Sequence, residues 1–115
     1  MPDYSSEAAP TFTKRVALSS TAGNAVAVTL PKRTRALTVT FKQSDGTTDD
    51  SGKITSSATE SSPIGDDAYP IGAGVHFGGY PIGEGLSTAA EAPTVYLAGD
   101  TASGYAHIIV QQQRP

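Results

Sequence analysis

The chemistry open to a chain is bounded first by its nucleophilic and titratable side chains. This one has no Cys, which removes a thiol nucleophile, a Cys-ligated zinc, an iron–sulfur cluster and any disulfide scaffold. His76 and His107 are its only imidazoles, 31 residues apart, and neither has a His or Glu at i+3 or i+4 to complete a local metal pair. His107 alternates with Tyr105 and Ile109 along one face of a strand-like segment, where a surface imidazole is the expected role. Asp45, Asp49 and Asp50 in a Gly/Thr-rich stretch invite a calcium reading. The Asp-x-Asp-x-Asp-Gly spacing and the bidentate Glu that closes such a loop are absent, so a solvated turn is expected. Asp66 and Asp67 are adjacent, and neighbouring residues of a strand or loop are expected to point apart, which makes a poor acid/base dyad. Gly72-Ala-Gly74 and Gly83-Glu-Gly85 lack the Lys, the Ser/Thr and the following helix of a phosphate loop. The chain is therefore expected to be non-enzymatic, with no metal and no cofactor.

The aromatic residues carry more information. Tyr69, Phe77 and Tyr80 gather in a Gly/Pro-rich stretch rather than in the strands, with His76 beside Phe77. Loop aromatics anchor protein interfaces. They also stack on sugar rings or plug the end of a sandwich, and the sequence leaves all three open. Tyr4 stands in a Ser/Glu/Ala/Pro segment read as an arm that orders on a partner. Tyr4, Tyr69, His76, Phe77 and Tyr80 are the candidate contact residues.

These side chains must be positioned by strands. Phe12, Val16 and Leu18 recur at period two, with Lys14 interrupting; so do Val26, Val28 and Leu30, and then Leu37, Val39 and Phe41 with Thr38 and Thr40 opposite. Thr21-Ala-Gly-Asn24 predicts a hairpin joining the first two, and Pro31 ends the second. Asp45-Gly46 is a turn, and Lys53 to Ala58, with Ile54 its only large apolar residue, reads as an edge strand. Residues 59–92 read as a long irregular region. Pro-Ile-Gly recurs there at Pro63, Pro70 and Pro81, too short a unit for a solenoid, with Val75 to Phe77 as a short strand between two arches. Val95 and Leu97, then Ala106, Ile108 and Val110, predict a final hairpin through residues 99–104. No window holds a helical period. The expectation is an all-β antiparallel sandwich or small barrel of Greek-key or jelly-roll type, of about seven strands. An arm over 1–11, one β domain over 12–110 and a tail over 111–115 complete the organisation.

With 115 residues, the chain has room for one core. No apolar run approaches the roughly 20 residues of a membrane span, so no membrane partner is expected. Met1 to Glu7 shows no basic stretch followed by an apolar one, so retention in the cell that makes it is expected. Charge is polarised: residues 1–42 carry net +4 and residues 43–100 net −8. Lys32, Arg33 and Arg35 form the one basic cluster of a chain whose net charge is −3, so no nucleic-acid partner is expected.

Val26-Ala-Val-Thr-Leu-Pro31, Arg35-Ala-Leu-Thr-Val-Thr-Phe41, the Gly/Pro middle, Thr94-Val-Tyr-Leu-Ala98 and Ala106-His-Ile-Ile-Val110 together resemble the small virion proteins of tailed bacteriophages, capsid decoration (cement) or head accessory proteins. The resemblance runs over roughly residues 11 to 110 and rests on strand style and order. It implies a non-catalytic, β-rich homo-oligomer, a trimer foremost, that is made in the host cytoplasm and sits on the capsid surface. It implies the major capsid protein or other virion proteins as partners. The alternatives are a phage tail or fibre adaptor, or a carbohydrate-binding β-sandwich module, the last weakened by a single Asn and no Trp.

Overall fold

In the computed structural model, which describes residues 11–32, 34–81 and 93–112, the period-two pattern becomes the burial pattern of the strands. These are β1 (Thr11–Ala17), β2 (Val26–Thr29), β3 (Thr34–Lys42), β4 (Asp49–Asp50), β5 (Gly52–Thr55), β6 (Tyr69–Ile71), β7 (Phe77–Pro81), β8 (Thr94–Gly99) and β9 (Tyr105–Gln112). The two strands beyond the expected seven, β4 and β6, are two and three residues long.

Among the described residues all pairings are antiparallel, and they form two sheets. In the first the order is β1-β9-β3, with β7 and β4 both on the far side of β3; in the second it is β2-β8-β5-β6. The pairs nest along the chain: β1 with β9, β2 with β8, β3 with β7, β5 with β6. The β3–β9 and β5–β8 ladders then stitch these ribbons side by side.

The inner rows of the two sheets make one core. Val16, Leu37, Val39, Phe41, Ala106, Ile108 and Val110 come from the first sheet; Val28, Ile54, Ile71, Val95 and Leu97 come from the second. Burying each of the larger ones contributes about 1.5–3 kcal/mol, so the alternation that makes strands also holds the sheets together. The architecture is an all-β, sandwich-like pair of sheets. At Gly52 the packing leaves no room for a side chain: a β-carbon there would lie 2.6 Å from the Ala98 carbonyl oxygen and 2.7 Å from the Phe41 ring. A second, smaller cluster lies outside the second sheet, where Ile64 and Ala68 of the β5–β6 connection cover Ala25 and Ala98. Backbone bonds from Ala25 N to Ser62 O at 2.8 Å and from Ile64 N to Gly23 O at 3.0 Å hold that cover down.

Three expectations are corrected. β1 and β2 are not a hairpin, because the Thr21–Asn24 turn carries the chain from one sheet to the other and β1 pairs with β9. β8 and β9 part in the same way, the crossing held by Leu18 N to Gly104 O at 2.9 Å and Asp100 N to Ser51 O at 3.0 Å. Alternation cannot separate these arches from hairpins, since both bury the same rows. β5 is not an edge strand: it lies between β8 and β6, and Ile54 is fully buried. The edge falls to β6, where Pro70 tolerates it because it has no N–H to leave unpaired. The Asp45-Gly46 turn does form a hairpin, pairing Lys42 with Asp49 and Phe41 with Asp50.

The described part of residues 59–92 supplies β6 and β7 besides its arches. Thr11 lies in β1, and Gln111 and Gln112 lie in β9. The rest of the expected arm and tail, and residues 82–92, lie outside the described residues.

Candidate functional site

A two-sheet sandwich leaves two open sides, and the sequence closes them differently. Between β1 and β2, Lys14 has the parity of the core row yet is exposed. It lines a cleft of about 250 Å³ with Val28, Leu30, Pro31, Ile108 and Val110. A lysine turned inward on an edge strand blocks pairing with another chain. Between β6 and β7, two aromatic rings do the closing. Tyr69 from the second sheet and Phe77 from the first approach with centroids 4.9 Å apart and ring planes at 35°. Phe77 packs on the core and is half-buried, whereas Tyr69 is 53% exposed. Val75, 46% exposed, stands on the arch between them, above the Gly72–Val75 turn closed by Val75 N to Gly72 O at 3.1 Å.

Of the five candidate contact residues, the structure brings Tyr69, His76 and Phe77 to this side of the molecule. Tyr80 lies in β7 opposite Leu37. Tyr4 lies outside the described residues. Of the three readings of the aromatics, plugging the sandwich describes Phe77, while Tyr69 and Val75 keep their surface outward.

His76 turns away from this pair onto the outer face of the first sheet, where its Nδ1 shares a 3.0 Å hydrogen bond with Thr40 Oγ1. Register does the rest: Arg15 pairs with His107 and His107 with Thr40, so Arg15, His107, Thr40 and His76 form one row across the sheet. Thr13, Ile109 and Thr38 form the next row. Both rows line a groove of about 530 Å³, with Lys42 also at its wall and no acidic residue among the described residues lining it. Arg15 lies over the Tyr105 ring, its guanidinium carbon 4.4 Å from the centroid. Lys42 is held by Asp49, Nζ to Oδ1 2.5 Å, whereas Lys14 and Arg15 meet no carboxylate among the described residues. The opposite outer face carries exposed Glu60, Asp66 and Asp67 on the cover of the second sheet.

This groove is what sequence reasoning missed. The outward parity of Arg15, Thr40 and His107 was legible; their common row depends on β9 lying between β1 and β3, which no local signal gives.

The acidic residues singled out earlier go separate ways. Asp45 Oδ1 accepts bonds from the Thr47 and Thr48 amides, both at 2.8 Å, and Oδ2 accepts from the Thr48 hydroxyl. The Thr48 hydroxyl and amide, ahead of the Thr47 amide, hold its carboxyl down to about 2. Asp49 faces Lys42, and Asp50 is buried. Among the described residues no three His, Cys, Asp or Glu side chains are grouped to hold a metal ion.

No protein-family model matches this sequence, and no curated protein matches it.

Proposed function

We propose that this chain is a non-enzymatic structural protein of a virion, a decoration or cement protein that binds across capsid subunits of a tailed-bacteriophage head. The observation that carries the reading is the aromatic arch: Tyr69, half out of the surface on the Phe77 ring, with exposed Val75 beside it, is the kind of aromatic that anchors an interface. Repetition over a lattice lets such a small contact suffice, because many weak contacts act together.

The fold is read as a jelly roll. Setting aside the two-residue β4, the eight remaining strands pair first with last, second with seventh, third with sixth and fourth with fifth, as a folded ribbon does when it wraps into two sheets. Virus capsid domains are among the users of that architecture, and lectin domains are others, so the fold supports the reading without deciding it. On this reading the protein is a closed homo-oligomer, a trimer matching a threefold lattice site, and resides on the particle surface after synthesis in the host cytoplasm.

Sedimentation equilibrium over a hundredfold range of concentration, with and without purified heads, tests it. A discrete trimer that saturates on heads is the expected result, and Tyr69→Ala abolishes head binding. A monomer that binds no heads, or Tyr69→Ala bound as tightly as the parent, overturns it.

A further inference from the structure

We infer that the groove on the outer face of the β1–β9–β3 sheet binds an acidic saccharide, a sugar unit bearing a sulfate or a carboxylate. The head-binding reading rests on Tyr69, Phe77 and Val75, none of which lines this groove, so the two stand or fall separately.

The charge of the groove comes first. Arg15 carries a cation that no carboxylate of the described residues neutralises, and none of the described residues lining the groove is acidic. The Arg15 guanidinium lies over the Tyr105 ring, its carbon 4.4 Å from the centroid, and such a planar fork is the side chain best suited to an oxyanion.

Its other groups fit a sugar. Thr13, Thr38 and the two imidazoles supply donors and acceptors for hydroxyls, and Ile109, 43% exposed, supplies the apolar patch that a C–H face covers. The Thr40 bond fixes the His76 ring; when the Thr40 hydroxyl donates, the ring proton sits on Nε2 and remains a donor for a ligand. From Arg15 across His107 to Thr40 the row covers two strand spacings, about 10 Å, so one end meets the anion while the other meets hydroxyls. At about 530 Å³ the groove exceeds what a bare inorganic ion fills. That volume lies within the roughly 300–1,000 Å³ of small-ligand sites.

A nucleic-acid strand is a poorer fit. It needs free aromatic faces for its bases, and the Tyr105 ring is already covered by Arg15.

The test is an amide-shift NMR titration of the whole chain with four probes: a sulfated uronate-containing disaccharide, maltose, sodium sulfate and hexaglutamate. Saturable shifts centred on Arg15, His107 and Thr40 are expected with the sulfated disaccharide, at least tenfold tighter than with any other probe. Arg15→Gln and His107→Gln each weaken that binding tenfold or more, Arg15→Lys weakens it less than Arg15→Gln, and Lys53→Gln on the other sheet leaves it unchanged. Because His107 is an exposed surface residue, its variant keeps the test valid if Arg15→Gln fails to fold. Equal binding of maltose, sulfate alone or hexaglutamate overturns the inference, as does full affinity in His107→Gln.

Discussion

Replacing Gly52 by alanine adds one methyl group where β5 packs against Phe41 of the facing sheet. In its present place that β-carbon would lie 2.6 Å from the Ala98 carbonyl oxygen and 2.7 Å from two ring carbons of Phe41. Carbon atoms settle at about 3.5–4.0 Å, so the ring, the β8 backbone or β5 itself must move by about 0.8 Å or more. Phe41 is the largest of the fully buried side chains, and Ala98 belongs to a ladder, so neither yields freely. Overpacking of this kind costs about 1–3 kcal/mol, and contact on two sides places Gly52→Ala at the upper end. The smaller conformational entropy of an unfolded alanine offsets about 0.4–1 kcal/mol. The net loss is about 2 kcal/mol, a fall in melting temperature of about 8–16 °C for a domain this small. Urea unfolding followed by far-UV circular dichroism measures it, and the slope of the transition should not change. Phe41→Leu trims the ring and relieves part of the clash, so the double variant is less unstable than the two single losses add up to, by about 1 kcal/mol or more. A loss under about 0.5 kcal/mol in Gly52→Ala, or strict additivity with Phe41→Leu, refutes the packing of β5 on Phe41.

Ile108→Ala empties the centre of the same core and costs about 2–5 kcal/mol in the same urea assay. Asp45 titrates in the folded protein near 2, below its ordinary 3.8, so its turn bonds stabilise the fold fully above about pH 4 and are lost as the pH falls through 2. Asp45→Ala therefore lowers stability at neutral pH and flattens the acid limb of the melting curve between pH 4 and 2; an unchanged limb contradicts the turn geometry. Tyr69→Ala, at a half-exposed site, changes stability by less than about 1 kcal/mol, and under the proposed decoration role it abolishes head binding. Phe77→Ala loses both, because that ring also packs on the core, and thermal melts beside head-binding assays separate the two variants.

Much of the fold was legible in the sequence, and for one reason. Leu37, Val39 and Phe41 of β3, and Ala106, Ile108 and Val110 of β9, alternate with polar or exposed partners, and side-chain period fixes which row is buried. It does not fix which strand lies alongside. Thr21–Asn24 and residues 99–104 look like hairpin turns and are arches between sheets, because a small-residue turn serves either path. β6 escaped notice because Tyr69-Pro-Ile71 is a three-residue edge with a proline in it. The same limit governs the sites. Clustered in sequence, Tyr69, His76 and Phe77 could be found as a group, whereas Arg15, Thr40, His76 and His107 come together only through the pairing of β1, β9 and β3.

The most direct test of a head-decoration role is a quantitative peptide inventory of purified phage particles from the source culture, before and after a wash that strips surface proteins. A decoration protein is present at a copy number proportional to the major capsid protein, leaves with the wash, and returns when the purified chain is added back. Its absence from the particles, or a copy number of a few per particle confined to tails, contradicts that role.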